Sequence, residues 1–371
     1  MAYVAVTGGR EAIAQSIELL TKYRSRGDNA LEADALTNRM SLLIDRIMSE
    51  AGLYAPDYAA LALKQCEGSP EEAVFLLRAY RTTLSRSYYS LPMDGEDMRL
   101  IRRISAAFKD VPGGQMLGPT YDYTHRLLDF SPEDDISSNA TVGDLLDNEE
   151  CHAPRVSALL REEGLVASEQ DDSPPVDITQ NPLTFPAPRS ARLQTFARAE
   201  TGYLCGLAYA GLRGFGPAHP TVGELRTGMM EVCVAHPLIE GETLYVGEIM
   251  ATEVESYFSI EDDKKKDRMM DPLERMQAGQ GDKKDTSDGN LALALGYGLI
   301  FGRSDNKAIA MSIMDFSLET QGDSPLQNQE LVLFHGDCLE MSGFISHLKL
   351  PHYVTFQSKL DRVRHTRKEG E

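Results

Sequence analysis

Two stretches of this chain cannot contribute to a hydrophobic core, and they limit where the folded parts can lie. Residues 131–177 hold 13 acidic and 2 basic residues. Prolines at Pro132, Pro154, Pro174, Pro175, Pro182, Pro186 and Pro188 extend this region to residue 190, and only Val156–Leu165 keeps a helical pattern inside it. Such a segment buries too little apolar surface to offset its conformational entropy, so it reads as a linker or surface excursion. Residues 261–289 carry nine acids and seven bases in runs such as Asp262-Asp263-Lys264-Lys265-Lys266-Asp267. That composition makes a solvated loop with little net field. Three parts follow: a mainly helical domain over 1–130, an acidic linker over 131–190, and a mixed domain with antiparallel strands over 191–371 that holds the insert. The fold class expected is α+β.

The helical part shows a 3.6-residue apolar period at Ile13, Ile17 and Leu20, at Leu42, Leu43, Ile47 and Met48, and at Tyr58, Leu61 and Ala62. Ser69-Pro70-Glu71-Glu72 opens a further helix, with Ser69 as cap, Pro70 in the first turn and Glu72 completing a capping box. Residues 3–6 look like a short strand before Thr7-Gly8-Gly9. That turn lacks both GxGxxG and a GK[ST] ending, so it reads as structural, not as a phosphate loop. In the third part, Met229–Ala235 and Thr243–Ile249 read as strands of a hairpin through Ile239-Glu240-Gly241-Glu242, and Gly296–Gly302 as a buried strand. Ser304 caps a helix carrying Ile309, Ile313, Met314 and Phe316. Another helix from about Gln327 carries Leu331, Val332, Phe334 and Leu339.

The net charge of −20 argues against non-specific nucleic-acid binding. The longest apolar runs, such as Leu291–Leu295, are far too short to cross a bilayer, and Met1-Ala2-Tyr3-Val4-Ala5-Val6 lacks the features of a signal peptide. The expectation is a cytoplasmic protein with no membrane and no nucleic-acid partner. Cys66, Cys151, Cys205, Cys233 and Cys338 are dispersed and form neither a disulfide framework nor a zinc motif.

Three stretches carry chemistry. The first runs from Arg102-Arg103, read with Lys109 as a helix, into Pro112-Gly113-Gly114. It continues through Gly118-Pro119 to Tyr121-Asp122-Tyr123-Thr124-His125-Arg126. Glycines there allow backbone N–H groups to approach an anion, and a carboxylate, an imidazole, two phenols and a guanidinium crowd behind them. A satisfied polar turn would look the same. The second is Gly214-Phe215-Gly216-Pro217-Ala218-His219-Pro220, followed by Glu224 and Arg226. The third is Ser346-His347-Leu348-Lys349-Leu350-Pro351-His352-Tyr353. Its two histidines lie five positions apart and would not share a helix face. A helix end turning at Leu350-Pro351 can aim both rings at one point and hold zinc. The plainer reading makes one ring a helix cap and the other a surface residue.

The segment Gly343–Val354 closely resembles the C-terminal signature of subunit I of the bacterial carbon–phosphorus lyase core complex. Residues 102–130 match that family most strongly. Glu72–Leu84, His219-Pro220, Gly223-Glu224, Arg226, Val246-Gly247-Glu248 and Thr252-Glu253 are similar as well. The 261–289 insert is longer than the family pattern. The resemblance implies a protein of phosphonate catabolism in which an alkylphosphonate displaces adenine from ATP, giving ribose 1-alkylphosphonate 5-triphosphate. It also implies purine nucleosidase activity on nucleoside triphosphates for the chain alone. Subunits G, H and J are the implied partners, in a two-fold assembly with a second copy of this chain. Zinc on His347 and His352, shared with a partner subunit, is implied as well; ATP would come with magnesium. Cleavage of an N-glycosidic bond needs a carboxylate beside an oxocarbenium-like centre, for which Asp122, Glu248 and Glu253 stand as candidates. His125 or a tyrosine would serve the leaving base. The expected catalytic set is Asp122, His125 and Glu248. The expected substrate-binding set is Arg102, Arg103, Gly113, Gly114, Tyr121, Tyr123, Arg126, His219 and Arg226. A scaffold subunit and a stand-alone metal-dependent nucleotide hydrolase remain as alternatives. The radical iron–sulfur step needs clustered thiolates that this chain lacks.

Overall fold

A computed structural model describes residues 9–25, 31–128, 130, 153–166, 174–259, 293–350 and 352–368. The expected strand at 3–6, residues 131–152 and 167–173 of the acidic linker, the 261–289 insert and Pro351 lie outside these residues. The described chain is α+β. By contacts it separates into one unit formed by Met1–Thr83 with Asp337–Glu371 and another formed by Leu84–Gly336.

The first unit is helical. It contains α1 (Gly9–Arg24), α2 (Ala33–Arg39), α3 (Ser41–Ala51), α4 (Pro56–Gln65) and α5 (Pro70–Arg81). Leu36, Ile44, Ile47, Leu63, Val74 and Leu77 meet Cys338 in its core. Ser69 Oγ accepts from Glu72 N, as the capping motif requires, but Ser69 N donates to Cys66 O, so the reciprocal half of the box is not made. Arg78 and Arg81 donate to Glu50, Ala51 and Gly52 carbonyls, where α3 ends with unpaired acceptors. The aliphatic stripe of α1 stays exposed at Ile13, Ile17 and Leu20.

The second unit is built on a four-stranded antiparallel sheet in the order β1-β2-β3-β4. The strands are β1 (Arg99–Ile104), β2 (Thr221–Ala235), β3 (Thr243–Ser259) and β4 (Leu293–Phe301). The helix expected at Arg102–Lys109 is therefore corrected to the end of a strand, closing at Ile104, followed by a loop. Arginine favours helices in isolation, but here the backbone pairs with β2, and burial of both arginines against carboxylates overrides that preference. The hairpin strands extend well beyond the apolar runs that marked them, because Glu224, Arg226, Glu253 and Glu255 are buried within them.

Around the sheet lie α6 (Val156–Glu162), α7 (Arg189–Arg198), α8 (Thr201–Ala210), α9 (Asp305–Glu319) and α10 (Gln329–Phe334). Leu225, Val254, Phe258 and Ile300 form one sheet face, and α9 packs on it through Ala308, Met311 and Met314. Phe258 stacks on Phe316 at 3.8 Å between ring centroids. The approach is close because β4 presents glycine: a Cβ on Gly296 would lie 2.1 Å from Ser312 O, and one on Gly298 2.3 Å from Ala308 O. Ser304 takes the cap position of α9 without a capping side-chain bond. The single helix expected from about Gln327 is two, α10 and α11 (Cys338–Ser346). Asp337 separates them and accepts from Leu339 N and Glu340 N, starting a new helix. After α11 the chain makes a 3-10 turn at His347–Lys349 and ends in α12 (Tyr353–Lys368).

Gly298→Val should destabilise the second unit by about 1–3 kcal/mol or more, because an added side chain meets backbone and not a flexible neighbour. Urea unfolding of the variant beside wild type measures this, and an unchanged midpoint would contradict the direct backbone contact.

Candidate functional site

Successive residues of a strand face opposite ways, so register decides which charges meet. Arg103, Arg226 and Glu253 are cross-strand neighbours, and Glu224, Glu255 and Tyr297 follow in the next row. All lie on the sheet face turned away from α9. Arg103 is 1% exposed, and its Nε donates to Glu224 Oε1 at 2.5 Å. Its Nη1 donates to the carbonyls of Pro112 and Gly114, and its Nη2 to that of Pro154. Glu224 Oε2 accepts the first free amide of α6, Val156 N, at 3.0 Å.

Beside this pair lies a second network. Arg155 Nη2 and the Tyr297 hydroxyl both donate to Glu253 Oε1 at 2.7 Å. Ser157 Oγ donates to Glu255 Oε1 at 2.9 Å, and Arg155 Nη1 stands 3.6 Å from that same oxygen. Glu255 Oε2 and the Tyr257 hydroxyl are buried without a hydrogen-bond partner among the described residues. Burial pushes the Glu255 carboxyl up from its ordinary range, against the opposing pull of Ser157 and Arg155. The Tyr297 phenol is pushed up by burial and by the neighbouring Glu253 carboxylate. Two clefts open here. One, of about 290 Å³, is lined by Arg155, Arg161, Arg189, Glu255 and Tyr297. The other, of about 510 Å³, runs past Asp94, Gly95 and Met230 to the same Arg155 and Tyr297.

The residues expected from sequence are divided among several places. Arg102 points to the opposite face from Arg103. It binds Asp122 Oδ2 at 2.7 Å and Asp305 Oδ2 at 3.0 Å, and donates to Leu117 O. Arg126 Nη2 is 3.7 Å from Asp122 Oδ1, so the structure does gather Arg102, Asp122 and Arg126. The Thr120 hydroxyl, then Arg102 and Arg126, hold the Asp122 carboxyl below its ordinary range. Tyr121, Tyr123 and His125 are exposed beside it. Gly113 and Gly114 adopt positive φ, but the loop turns its carbonyls onto Arg103; a Cβ on Gly113 would meet Arg103 Nη1 at 2.9 Å. Glu248 pairs with Arg99 at 3.1 Å. His219 is exposed, with Nδ1 3.0 Å from Pro220 O. Arg226 is 1% exposed, with no hydrogen-bond partner among the described residues.

Sequence reasoning passed over Arg155, Glu255 and Tyr297. The readable signal was the alternation Glu253-Val254-Glu255-Ser256-Tyr257, a period of two carrying charge where a strand ordinarily carries apolar side chains. Arg155 gave no signal, because it sits in the acidic, proline-rich region read as a linker.

A family model described as "Bacterial phosphonate metabolism protein (PhnI)" matches residues 2–370. The chain belongs to the PhnI family. It is 42% identical over 378 residues to the alpha-D-ribose 1-methylphosphonate 5-triphosphate synthase subunit PhnI of Escherichia coli (strain K12), with 99% of each chain covered. The putative C-P lyase subunit protein HtxH of Stutzerimonas stutzeri is 42% identical over 388 residues, 99% of this chain and 96% of its own. The PhnI protein of Rhizobium meliloti (strain 1021) is 42% identical over 380 residues, 99% of this chain and 95% of its own. The resemblance read from the motifs thus extends over nearly the whole chain.

In this PhnI-family chain the C-terminal histidines do come together. The His347 and His352 ring centroids are 5.7 Å apart at 87°, with His347 Nδ1 hydrogen-bonded to the Phe344 carbonyl. That bond leaves Nε2 of His347 as its donor to a metal. Among the described residues no group of three or more His, Cys, Asp or Glu could hold an ion. The pair therefore fits half of a tetrahedral zinc site, to be completed by other donors. Also among the described residues, no helix is long and apolar enough to cross a membrane.

The Glu255 shift has a consequence for stability. Its folded pKa lies above the unfolded value, so the folded state holds the proton longer. Stability then falls as pH rises from the ordinary carboxylate range through the raised value. Glu255→Gln removes this titration. The variant should match wild type in acid and exceed it increasingly as pH rises, read as the difference in Tm across a pH series. A difference that stays constant or shrinks would contradict the protonated, buried state of Glu255.

Proposed function

We propose that this chain is the subunit that exchanges the purine of ATP for an alkylphosphonate, forming ribose 1-alkylphosphonate 5-triphosphate. The observation that carries this reading is the identity with the E. coli synthase subunit over essentially both full chains. The reaction breaks the C1′–N9 bond and forms a C1′–O bond to the phosphonate. Its transition state gathers positive charge on the ribosyl ring, and the base leaves more readily when protonated. With no phosphonate present, water takes the same place and the chain acts as a purine nucleoside triphosphate nucleosidase. Asp122, held anionic by Arg102 and Arg126 with His125 beside it, would face the substrate, and the exposed rings of Tyr121 and Tyr123 offer stacking surfaces for a purine. ATP would enter with magnesium on its phosphates.

The same reading makes the chain part of a larger assembly with subunits G, H and J and with a second copy of itself. Exposed apolar side chains at Ile13, Ile17 and Leu20 and at Phe344, Ile345 and Leu348 suit a protein that buries these surfaces against partners. His347 and His352 would hold zinc together with donors from a partner subunit. Bound there, the metal would supply a Lewis acid to an oxygen ligand.

Full-length chain incubated with ATP or GTP should release free purine and leave ribose 5-triphosphate, as followed by chromatography. Nucleoside diphosphate with an intact glycosidic bond as the product would overturn the reading. Elemental analysis should find little zinc in the isolated chain and about one zinc per protomer in the assembled complex, falling when either His347 or His352 becomes alanine. Stoichiometric zinc in the isolated chain would remove the shared site.

A further inference from the structure

The geometry points to the cleft bounded by β3, β4, α6 and α7 as the place where the glycosidic bond breaks, with Glu255 as proton donor to the leaving base and Glu253 as the carboxylate that faces the ribosyl cation. This assignment rests on the nucleotide reading above and deepens it. In place of the Asp122 loop it seats both the leaving base and the bond-breaking groups at Glu253, already a candidate carboxylate, and at Glu255, which the motifs did not single out.

Two alternate residues of one strand stand about 7 Å apart on the same face. Their surroundings give the two carboxyls opposite characters. Glu253 accepts from a guanidinium and a phenol, Arg155 and Tyr297, both at 2.7 Å on Oε1. Donors of that kind hold a carboxylate in place, as facing an oxocarbenium-like centre requires. Glu255 is 3% exposed, receives one neutral hydroxyl at 2.9 Å, and has an Oε2 without a partner among the described residues. An ionised carboxylate would be costly in that position, whereas a carboxylic acid has its proton to give. The acid lines a cleft that also presents Arg161 and Arg189. Arg189 is engaged with Asp315, while among the described residues Arg161 donates to the Ser157 hydroxyl at 3.3 Å and lines the cleft as a cation suited to a polyphosphate.

The step balances without a further reagent. The C1′–N9 electron pair leaves with the base while the Glu255 proton moves to a ring nitrogen. The Glu253 carboxylate faces C1′ until a phosphonate oxygen, or water, closes the new bond. With water as acceptor, its proton passes back to the Glu255 carboxylate. With a phosphonate anion, solvent restores that proton. Burial, Ser157 and Arg155 at the start of α6, Glu253 on its own strand and Glu224 on β2 set the acidity of Glu255; the other titratable or charged groups near it are Arg161 on α6, Tyr257 on its own strand, Tyr297 on β4 and Arg189 on α7.

The test compares two substrates, GTP and N7-methylated GTP, whose base leaves as a neutral molecule without receiving a proton. Glu255→Gln in the full-length protein should lower purine release from GTP by about 100-fold or more, the usual scale for losing a general acid. On N7-methylated GTP the same variant should lose less than about 10-fold, a margin set well below that scale. Equal losses on both substrates, or no loss on GTP, would overturn the assignment. A readout that needs no variant covers a folding failure. Turnover of GTP by wild type should fall on the alkaline side of its pH profile, and turnover of the methylated substrate should not. The same alkaline fall for both would again overturn it. Failure of wild type to release purine from either substrate would instead remove the nucleotide reading, and the assignment with it.

Discussion

The sheet face turned away from α9 holds more buried charge than any other part of the described chain, and much of the second unit is arranged to satisfy it. Arg103, Glu224, Arg226, Glu253 and Glu255 are each 3% exposed or less. Taking such groups out of water costs several kcal/mol per ion after relaxation, which attraction repays only with good geometry and further hydrogen bonds. The connections supply those bonds. The glycine-rich loop after β1 folds its Pro112 and Gly114 carbonyls onto Arg103. The chain around Pro154–Ser157 contributes a carbonyl to Arg103, an amide to Glu224 and a hydroxyl to Glu255, and places Arg155 between the glutamates. Removing one partner of the Arg103–Glu224 pair would leave a buried charge, at a cost of about 3–5 kcal/mol.

Charge on this face and close packing on the other are two sides of one sheet. Glycines at Gly296 and Gly298 let α9 approach the backbone of β4, so the apolar face closes with little space left. Tyr297, between them on the strand, points the other way and gives its hydroxyl to Glu253. The same alternation separates neighbours in β1. Arg102 joins Asp122 and Asp305, while Arg103 goes to Glu224. An arginine pair that looks like one cationic patch in the sequence thus serves two sides of the sheet.

Such a face suits the glycosidic cleavage proposed for it. Little water reaches a carboxylate held by a guanidinium and a phenol, or a carboxyl whose burial favours its protonated form. Preorganised groups of that kind act on developing charge more strongly than they would in water. Burial of the Glu255 carboxyl also lowers stability as pH rises above the ordinary carboxylate range.

Much of the local structure was legible from the residues alone. Apolar periodicity marked α1, α3 and α4, Ser69-Pro70 marked the start of α5, and apolar runs marked parts of β2, β3 and β4, because each signal depends only on neighbours in the chain. The motif resemblance identified the family for the same reason. The sequence also indicated that His347 and His352 could converge, since a proline turn stands between them. It could not show that Arg102-Arg103 is a strand, that Gly113-Gly114 turns carbonyls inward, or that Arg155 leaves an acidic, proline-rich stretch to join Glu253 and Glu255. Nor could it show that Asp337–Glu371 belongs with the first helices. These outcomes depend on pairing between residues far apart in the chain, and on burial, which reverses the ordinary preference of a charged side chain once a partner of opposite charge is fixed beside it. Chemistry-bearing residue types were therefore written in the sequence, while which of them share a face was decided by sheet register and packing.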